Sequence, residues 1–168
     1  MWNLMVVAVL AALTGFYSLQ TERNVSAAEQ HRSMYHADSM AVYRDAVVRY
    51  FTANPAQFGT VSTDALIAEN DFPAWSTQAS ADLWNNFRAN DGTIYIFAAT
   101  ASDQLPQPPR NITDDIVRLS RKSALTGVYR TNDTKLYSPV LGQTNIPLPD
   151  TGSVSIPNGS PVWVAMIN

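Results

Sequence analysis

The sequence contains no cysteine among its 168 residues, which excludes disulfide bonds, thiolate metal sites and cysteine nucleophiles. Positive charge is also scarce, since a formal net charge of −3 provides no cationic field with which to hold nucleic acid. The seven glycines are scattered and form neither a GxGxxG nor a Walker-type phosphate loop, and no GxSxG elbow occurs. We therefore expect no nucleic-acid partner, no nucleotide cofactor and no hydrolase triad.

The few candidate catalytic residues all have structural explanations. His31 and His36 lie about 140° apart on a helix, so they cannot ligate one metal as an i, i+4 pair does. We expect His36 to be a packed core residue with a hydrogen-bonded ring nitrogen. Asp114 and Asp115 open a helix, where acids stabilise the first turn. The sequence predicts no catalytic, cofactor-binding or metal-binding residue, and we expect the protein not to be an enzyme.

An uncharged run extends from Trp2 to Leu19 and predicts a membrane anchor over residues 1–20. A helix of this length covers about 27 Å, close to the ~30 Å of a bilayer's hydrocarbon core. No basic residue precedes the run, which favours a retained anchor over a signal peptide cleaved near Ser26–Ala28. Cleavage and a buried core helix stay open as alternatives. Arg23 and Arg32 follow the run, and read literally the positive-inside rule would place the domain in the cytoplasm.

Residues 21–52 are predicted to form an amphipathic helix that joins the anchor to the domain. At 100° per residue its apolar side chains fall on one face, namely Met40, Tyr43, Val47, Tyr50 and Phe51. Polar side chains fall opposite them, namely His31, Asp38, Asp45 and Arg49. Asn54-Pro55 is expected to end the helix.

Residues 53–168 are predicted to be a soluble α+β domain in which short helices pack on a mainly antiparallel sheet. Short helices are expected at Asp64–Glu69 with a Ser62 or Thr63 cap, around Leu83, Trp84 and Phe87, and at Ile112–Lys122. A central strand is expected at Thr93–Ala98, and hairpins at Leu125–Pro139 and Ser153–Ile167. Asp103–Arg110, which is rich in proline, is expected to be an extended connector.

The last strand, Pro161–Ile167, is the candidate partner-binding element. One interpretation makes it a sheet edge, whose unpaired backbone groups accept a strand from another chain. The other makes it an internal strand, because its continuous apolar run is typical of strands buried on both faces. On the edge interpretation the residues expected to contact a partner are Val162, Trp163, Val164 and Met166.

Three short strings resemble the PilM family of type IVB (thin) pilus systems, which occur on conjugative plasmids and pathogenicity islands. These are STDALI at Ser62–Ile67, DGTIYIFA at Asp91–Ala98 and LTGVYR at Leu125–Arg130. The resemblance implies a single-pass component of the bacterial inner membrane, with its domain in the periplasm, that serves the pilus basal body or pilin transport. Implied partners are other pilus assembly proteins and, through the N-terminal helix, inner-membrane lipid. A homo-oligomer stays open.

Two other functions stay open. A membrane helix, an amphipathic helix and a sheet are also the plan of type IV pilins, which makes a pilin-like minor subunit an alternative. The processing motif is misplaced, however, because the apolar run precedes Gly15-Phe16 and Gln20 stands where a glutamate belongs. The second alternative is a secreted binding module or enzyme, with an aromatic platform of Trp75, Trp84 and Trp163.

Overall fold

The computed structural model describes residues 2–69, 72–73, 81–99, 112–149 and 154–167. The helices are α1 (Trp2–Ala53), α2 (Thr63–Ala68) and α3 (Ile112–Leu119). The strands are β1 (Trp84–Arg88), β2 (Thr93–Ala98), β3 (Thr126–Val128), β4 (Lys135–Ser138), β5 (Gly142–Pro147) and β6 (Pro161–Met166). The chain divides into two compact units, Met1–Arg32 and Ser33–Asn168.

The first unit consists of the N-terminal part of α1. Its described apolar side chains are exposed, among them Phe16 at 58% and Tyr17 at 67%. No helix in the described residues is long and apolar enough to cross a membrane. The predicted transmembrane helix is thus unsupported. Trp2 and most of the apolar run Leu4–Leu13 lie outside the side chains that the structure describes.

The second unit is built on a six-stranded antiparallel sheet with strand order β1-β2-β6-β3-β4-β5. Helices packed on an antiparallel sheet confirm the α+β class. β6 lies between β2 and β3, with Val164 opposite Tyr95 and Pro161 opposite Val128. The internal interpretation of this strand is therefore confirmed, and the edge interpretation is wrong.

The central strands β2 and β6 of the sheet are buried on both faces. On one face, the amphipathic part of α1 packs with α2 and α3 over side chains from β1, β2 and β6. The predicted apolar face of α1 is confirmed, since Met40, Tyr43, Val47 and Phe51 are at most 1% exposed. A second cluster, which includes Tyr95, covers the other face. Burial on both faces explains why all six residues of β2 are buried.

The helix predicted around Leu83, Trp84 and Phe87 is wrong, because Trp84 and Phe87 lie within strand β1 and Leu83 directly precedes it. Trp84 belongs to the cluster under α1, whereas Phe87 packs against the cluster on the opposite face. A strand with apolar neighbours on both faces can place apolar residues at spacings that resemble a helix. A turn with Gly92 at φ +87° connects β1 to β2.

The predicted second hairpin, Ser153–Ile167, is also wrong. β2 and β3 already occupy both sides of β6, which leaves no position for a hairpin partner. In the described residues 154–157 there is no strand, and Val154 and Ile156 pack on the second apolar cluster. The first hairpin is confirmed, with Val128 opposite Tyr137.

Two further helix predictions are confirmed apart from one end. Ser62 caps α2 by accepting a hydrogen bond from Ala65 N at 3.3 Å. The third helix ends at Leu119 instead of Lys122, because Arg121 and Lys122 have φ values of 55° and 60°, a left-handed backbone that cannot continue a helix. The connector predicted at 103–110 lies outside the described residues.

Candidate functional site

The described residues contain no group of three or more His, Asp or Glu side chains that could hold a metal ion. His36 is 8% exposed and contacts the Tyr35 ring edge-on at 5.7 Å, which confirms that it is buried, whereas the predicted hydrogen bond is not found at Nδ1. His31 is exposed. The two histidines therefore do not converge.

The predicted aromatic platform is absent at the two tryptophans that the structure describes. Trp84 is buried and donates from Nε1 to Ser39 Oγ at 3.0 Å. Trp163 is 8% exposed and lies beneath the Arg44 guanidinium, 5.3 Å from the ring centroid. Trp75 lies outside the described residues. Trp84 and Trp163 serve as core anchors.

The residues predicted to contact a partner lie on the internal strand β6. Val162 and Val164 are fully buried and Trp163 nearly so, whereas Met166 is 59% exposed. Both neighbours of β6 use its backbone groups, so no partner strand can add there. A partner contact at these four residues stays a prediction. The sheet edge on which this prediction was based is not present at β6.

The sheet ends at β1 and β5, and the outer side of β1 is closed. Gly59 and Arg88 exchange two backbone hydrogen bonds of 2.9 and 2.8 Å. Two residues earlier, the Asn86 side chain accepts from Val61 N at 3.0 Å and donates to Val61 O at 2.8 Å. Asn86 N–H bonds to Asn85 Oδ1 at 2.9 Å. On the outer side of β1, the backbone groups of Arg88, the N–H of Asn86 and the side chain of Asn86 are therefore already paired.

Arg88 fixes the loop that covers this edge. Its guanidinium is buried between the rings of Phe51 and Phe58, at 5.3 and 5.2 Å from their centroids. Nη1 donates to the carbonyl oxygens of Pro55 and Gln57, both at 3.0 Å. These carbonyls follow the C-terminal end of α1, where the helix dipole also stabilises a positive charge. Arg88 is thus a structural clamp, and its carbonyl partners disfavour an anion ligand.

A buried polar node lies beneath the same edge. Asn86 Nδ2 also donates to the hydroxyl oxygen of Tyr43 at 2.7 Å, and both residues are buried. Burial raises the pKa of Tyr43 from 10 to about 12, although hydrogen bonds from Asn86 and Thr63 oppose the shift. Every polar atom of this node has a structural partner, which leaves it no catalytic task.

The outer side of β5 is open within the described ranges, where no segment pairs with it. Gln143 and Asn145 are exposed on β5, and Thr144 is buried and donates to Leu136 O at 2.8 Å. Lys135, on the neighbouring strand, reaches across to Asn145 Oδ1 at 3.3 Å. Unpaired backbone groups at a sheet edge are a ready position for another chain.

A shallow groove of about 240 Å³ lies between the β1–β2 turn and the end of β5. Its lining combines apolar residues, among them Phe87 and Pro147, with the polar residues Asn90 and Asp91 of the turn. The Tyr95 hydroxyl donates to Pro147 O at 2.9 Å and so closes its floor. Burial, and secondarily the charge of Asp91, raise the pKa of Tyr95 from 10 to about 12. The groove lacks a nucleophile and a base with partners arranged for catalysis.

Sequence reasoning missed both sheet edges. β5 reads GQTNIP, whose polar and uncharged residues give little strand signal. The glycine that starts it, Gly142, has φ +74° and marks a turn, which is the one local sign of a returning strand. The closure of β1 depends on contacts across at least 25 residues of sequence, which no local pattern reveals.

Comparisons with known proteins agree with one another. A family model described as PilM matches residues 8–164. The crystal structure of a PilM protein from Escherichia coli B7A is similar to this one with a TM-score of 0.51 and 16% sequence identity, covering 81% of this chain and 93% of that chain. At this identity the structural likeness concerns the fold alone. No curated protein matches the sequence.

Proposed function

This chain belongs to the PilM family, and on that premise we propose that it is a non-enzymatic component of type IVB pilus biogenesis. It would act by protein–protein contacts with other pilus proteins, as a basal-body part or a factor for pilin transport and assembly. The observation that carries the proposal is the family match over residues 8–164, which includes nearly the whole chain. The resemblance to PilM expected from the sequence is thereby confirmed.

The buried polar side chains support a non-enzymatic role. Asn86, Arg88 and Ser39 each pair with another part of the fold, and all are buried. Catalytic sites need titratable groups that converge on an accessible cleft. The polar groups described here hold elements together, which is typical of a protein that works by presenting a surface.

The test is an in-frame deletion of the gene in a host that carries the pilus system. We expect loss of pili by electron microscopy and loss of pilus-dependent conjugation, both restored by the wild-type gene. A His31→Gln/His36→Gln variant should restore function in proportion to the amount of folded protein. Loss of function with unchanged abundance and melting temperature would argue for histidine chemistry. Normal pili in the deletion strain would refute the pilus role.

A pilin-like minor subunit is the second candidate, because the 52-residue helix α1 precedes an antiparallel sheet. The two functions separate on location. An assembly factor stays with the cell envelope when pili are sheared off and purified, whereas a subunit is recovered with the pilus fibre. Immunoblots of both fractions, normalised to the major pilin, decide between them.

A further inference from the structure

We propose that the free edge of β5, flanked by Lys135 and Arg130, docks an extended acidic segment of a partner protein. The partner would add a strand to the sheet and meet the basic side chains with its carboxylates. This inference rests on the proposed function, since it takes the partner to be another pilus component.

The sheet leaves one place for strand addition in the described residues. β6 is flanked on both sides, and on the outer side of β1 Arg88 pairs with Gly59 while Asn86 pairs through its N–H and its side chain. On β5, Ile146 N bonds within the strand to Thr144 Oγ1 at 3.2 Å, and no segment among the described residues pairs with the outer side of the strand. Native proteins often cover the sheet edges that they do not use. The outer side of β1 is paired at Asn86 and Arg88, whereas no described segment pairs with the outer side of β5, and this difference favours β5 for docking.

Two basic side chains lie beside this edge, although the whole chain carries a net charge of −3. Lys135 is on β4, the strand next to β5, and Arg130 lies over the ring of Tyr137 on that same strand. A positive edge attracts an acidic segment and repels a basic one, which provides specificity as well as faster association.

The side chains beside β5 can reach a strand added to it. Lys135 lies on β4, yet its Nζ already contacts Asn145 Oδ1 on β5 at 3.3 Å. A new strand would lie about 4.8 Å beyond β5, within the reach of this flexible ammonium. Arg130 packs over the Tyr137 ring at 3.4 Å and adds a second positive charge on that side. Gln143 and Asn145 are neutral, so β5 itself does not repel the carboxylates of an acidic partner.

Backbone geometry favours a peptide over a membrane surface as the occupant. Anionic lipid would be attracted to the same charges, but headgroups cannot pair with a row of strand N–H and C=O groups. An acidic extended segment satisfies both the edge and the charges. The proposal therefore commits to protein, and lipid binding becomes an outcome of the test.

The test measures fluorescence anisotropy of the full-length protein with a ten-residue labelled peptide that alternates glutamate and valine. We expect salt-sensitive binding that is lost when lysine replaces glutamate in the peptide. N-methylation of two adjacent central residues, which blocks both peptide edges, should also abolish binding. Lys135→Glu should weaken binding roughly three- to tenfold. Lys122→Glu is the matched control, because it makes the same charge change on the chain's other lysine, and it should leave binding unchanged.

Three results would overturn the proposal. These are equal loss in both lysine variants, retained binding of the N-methylated peptide, and absence of peptide binding at low salt. Loss of binding to phosphatidylglycerol vesicles in Lys135→Glu, without effect on the peptide, would assign the surface to lipid. In cells, Lys135→Glu should reduce conjugation and Lys122→Glu should not. If deletion of the gene impairs pili but Lys135→Glu does not, the docking site is wrong while the pilus function stands.

Discussion

Replacing Asn86 with leucine tests how β1 is joined to the rest of the domain. Its side chain is fully buried and makes three hydrogen bonds, two to Val61 and one to the Tyr43 hydroxyl, of 2.7–3.0 Å. Leucine has the same branched side-chain skeleton but pairs with none of these groups. Each buried polar group left unpaired costs about 1–3 kcal/mol. Three partner groups are left unpaired, namely the N–H and carbonyl of Val61 and the Tyr43 hydroxyl, so we expect a loss of at least about 3 kcal/mol in the free energy of unfolding.

Urea unfolding followed by far-ultraviolet circular dichroism measures this loss. Asn85→Leu is the matched control, since that half-buried neighbour accepts one hydrogen bond and should cost about 1 kcal/mol. Tyr43→Phe should cost less in the Asn86→Leu background than in the wild type, because the Nδ2 contact is then already gone. A loss below about 1 kcal/mol for Asn86→Leu, or equal costs of Tyr43→Phe in both backgrounds, would refute the reasoning.

The remaining predictions concern the sheet, high pH and the N-terminus. Val164→Pro should unfold the domain, because Val164 lies on the internal strand β6 and donates a 2.7 Å backbone hydrogen bond; a native circular dichroism spectrum would contradict this. Burial raises the pKa of Tyr43 to about 12, above the value of 10 in the unfolded chain. Its contribution to the free energy of unfolding, up to about 3 kcal/mol, is therefore complete below pH 10 and is lost as the pH rises through 12. The free energy of unfolding should accordingly fall less steeply with pH between 10 and 12 in Tyr43→Phe than in the wild type. Gly127→Ala would place a Cβ 2.3 Å from the backbone oxygen of Tyr137, and should cost about 1–3 kcal/mol, which thermal unfolding measures; an unchanged melting temperature would count against it. The uncharged run Trp2–Leu19 predicts that the protein in the inner-membrane fraction keeps its N-terminal segment. A soluble form that N-terminal sequencing shows to lack this run would contradict the prediction.

The sequence predicts best the elements whose apolar pattern arises from one contact surface. In α1 only one stripe packs on the sheet, so Met40, Tyr43 and Val47 appear at a clear helical period. β1 has apolar neighbours on both faces, and its apolar positions then follow no strand alternation. Asn86 and Arg88 make the strand still harder to recognise, because they are polar residues at buried positions. Their hydrogen bonds, which only the folded structure reveals, compensate for this burial.

The candidate site depends on strand order, which the sequence does not carry locally. An apolar run such as Pro161–Met166 is compatible with a central strand, and its neighbours come from residues 93–98 and 126–128. Only this pairing moves the free edge from β6 to β5. The polar strand β5 then becomes the exposed edge for the reason that made it hard to recognise: it lacks the apolar residues that burial requires.

The position of β6 between β2 and β3 also has a consequence for the kinetics of folding. The β1–β2 and β3–β4–β5 segments each pair between neighbours in sequence and can form early. Their union awaits β6, whose Val164 pairs with Tyr95 across 69 residues. Closing so long a loop is slow. Until it closes, the facing edges of β2 and β3 stay unpaired while an uncharged apolar strand remains in solvent. Aggregation should therefore compete with folding at this step, and a chaperone that binds residues 161–166 would protect the chain until the two halves of the sheet are joined.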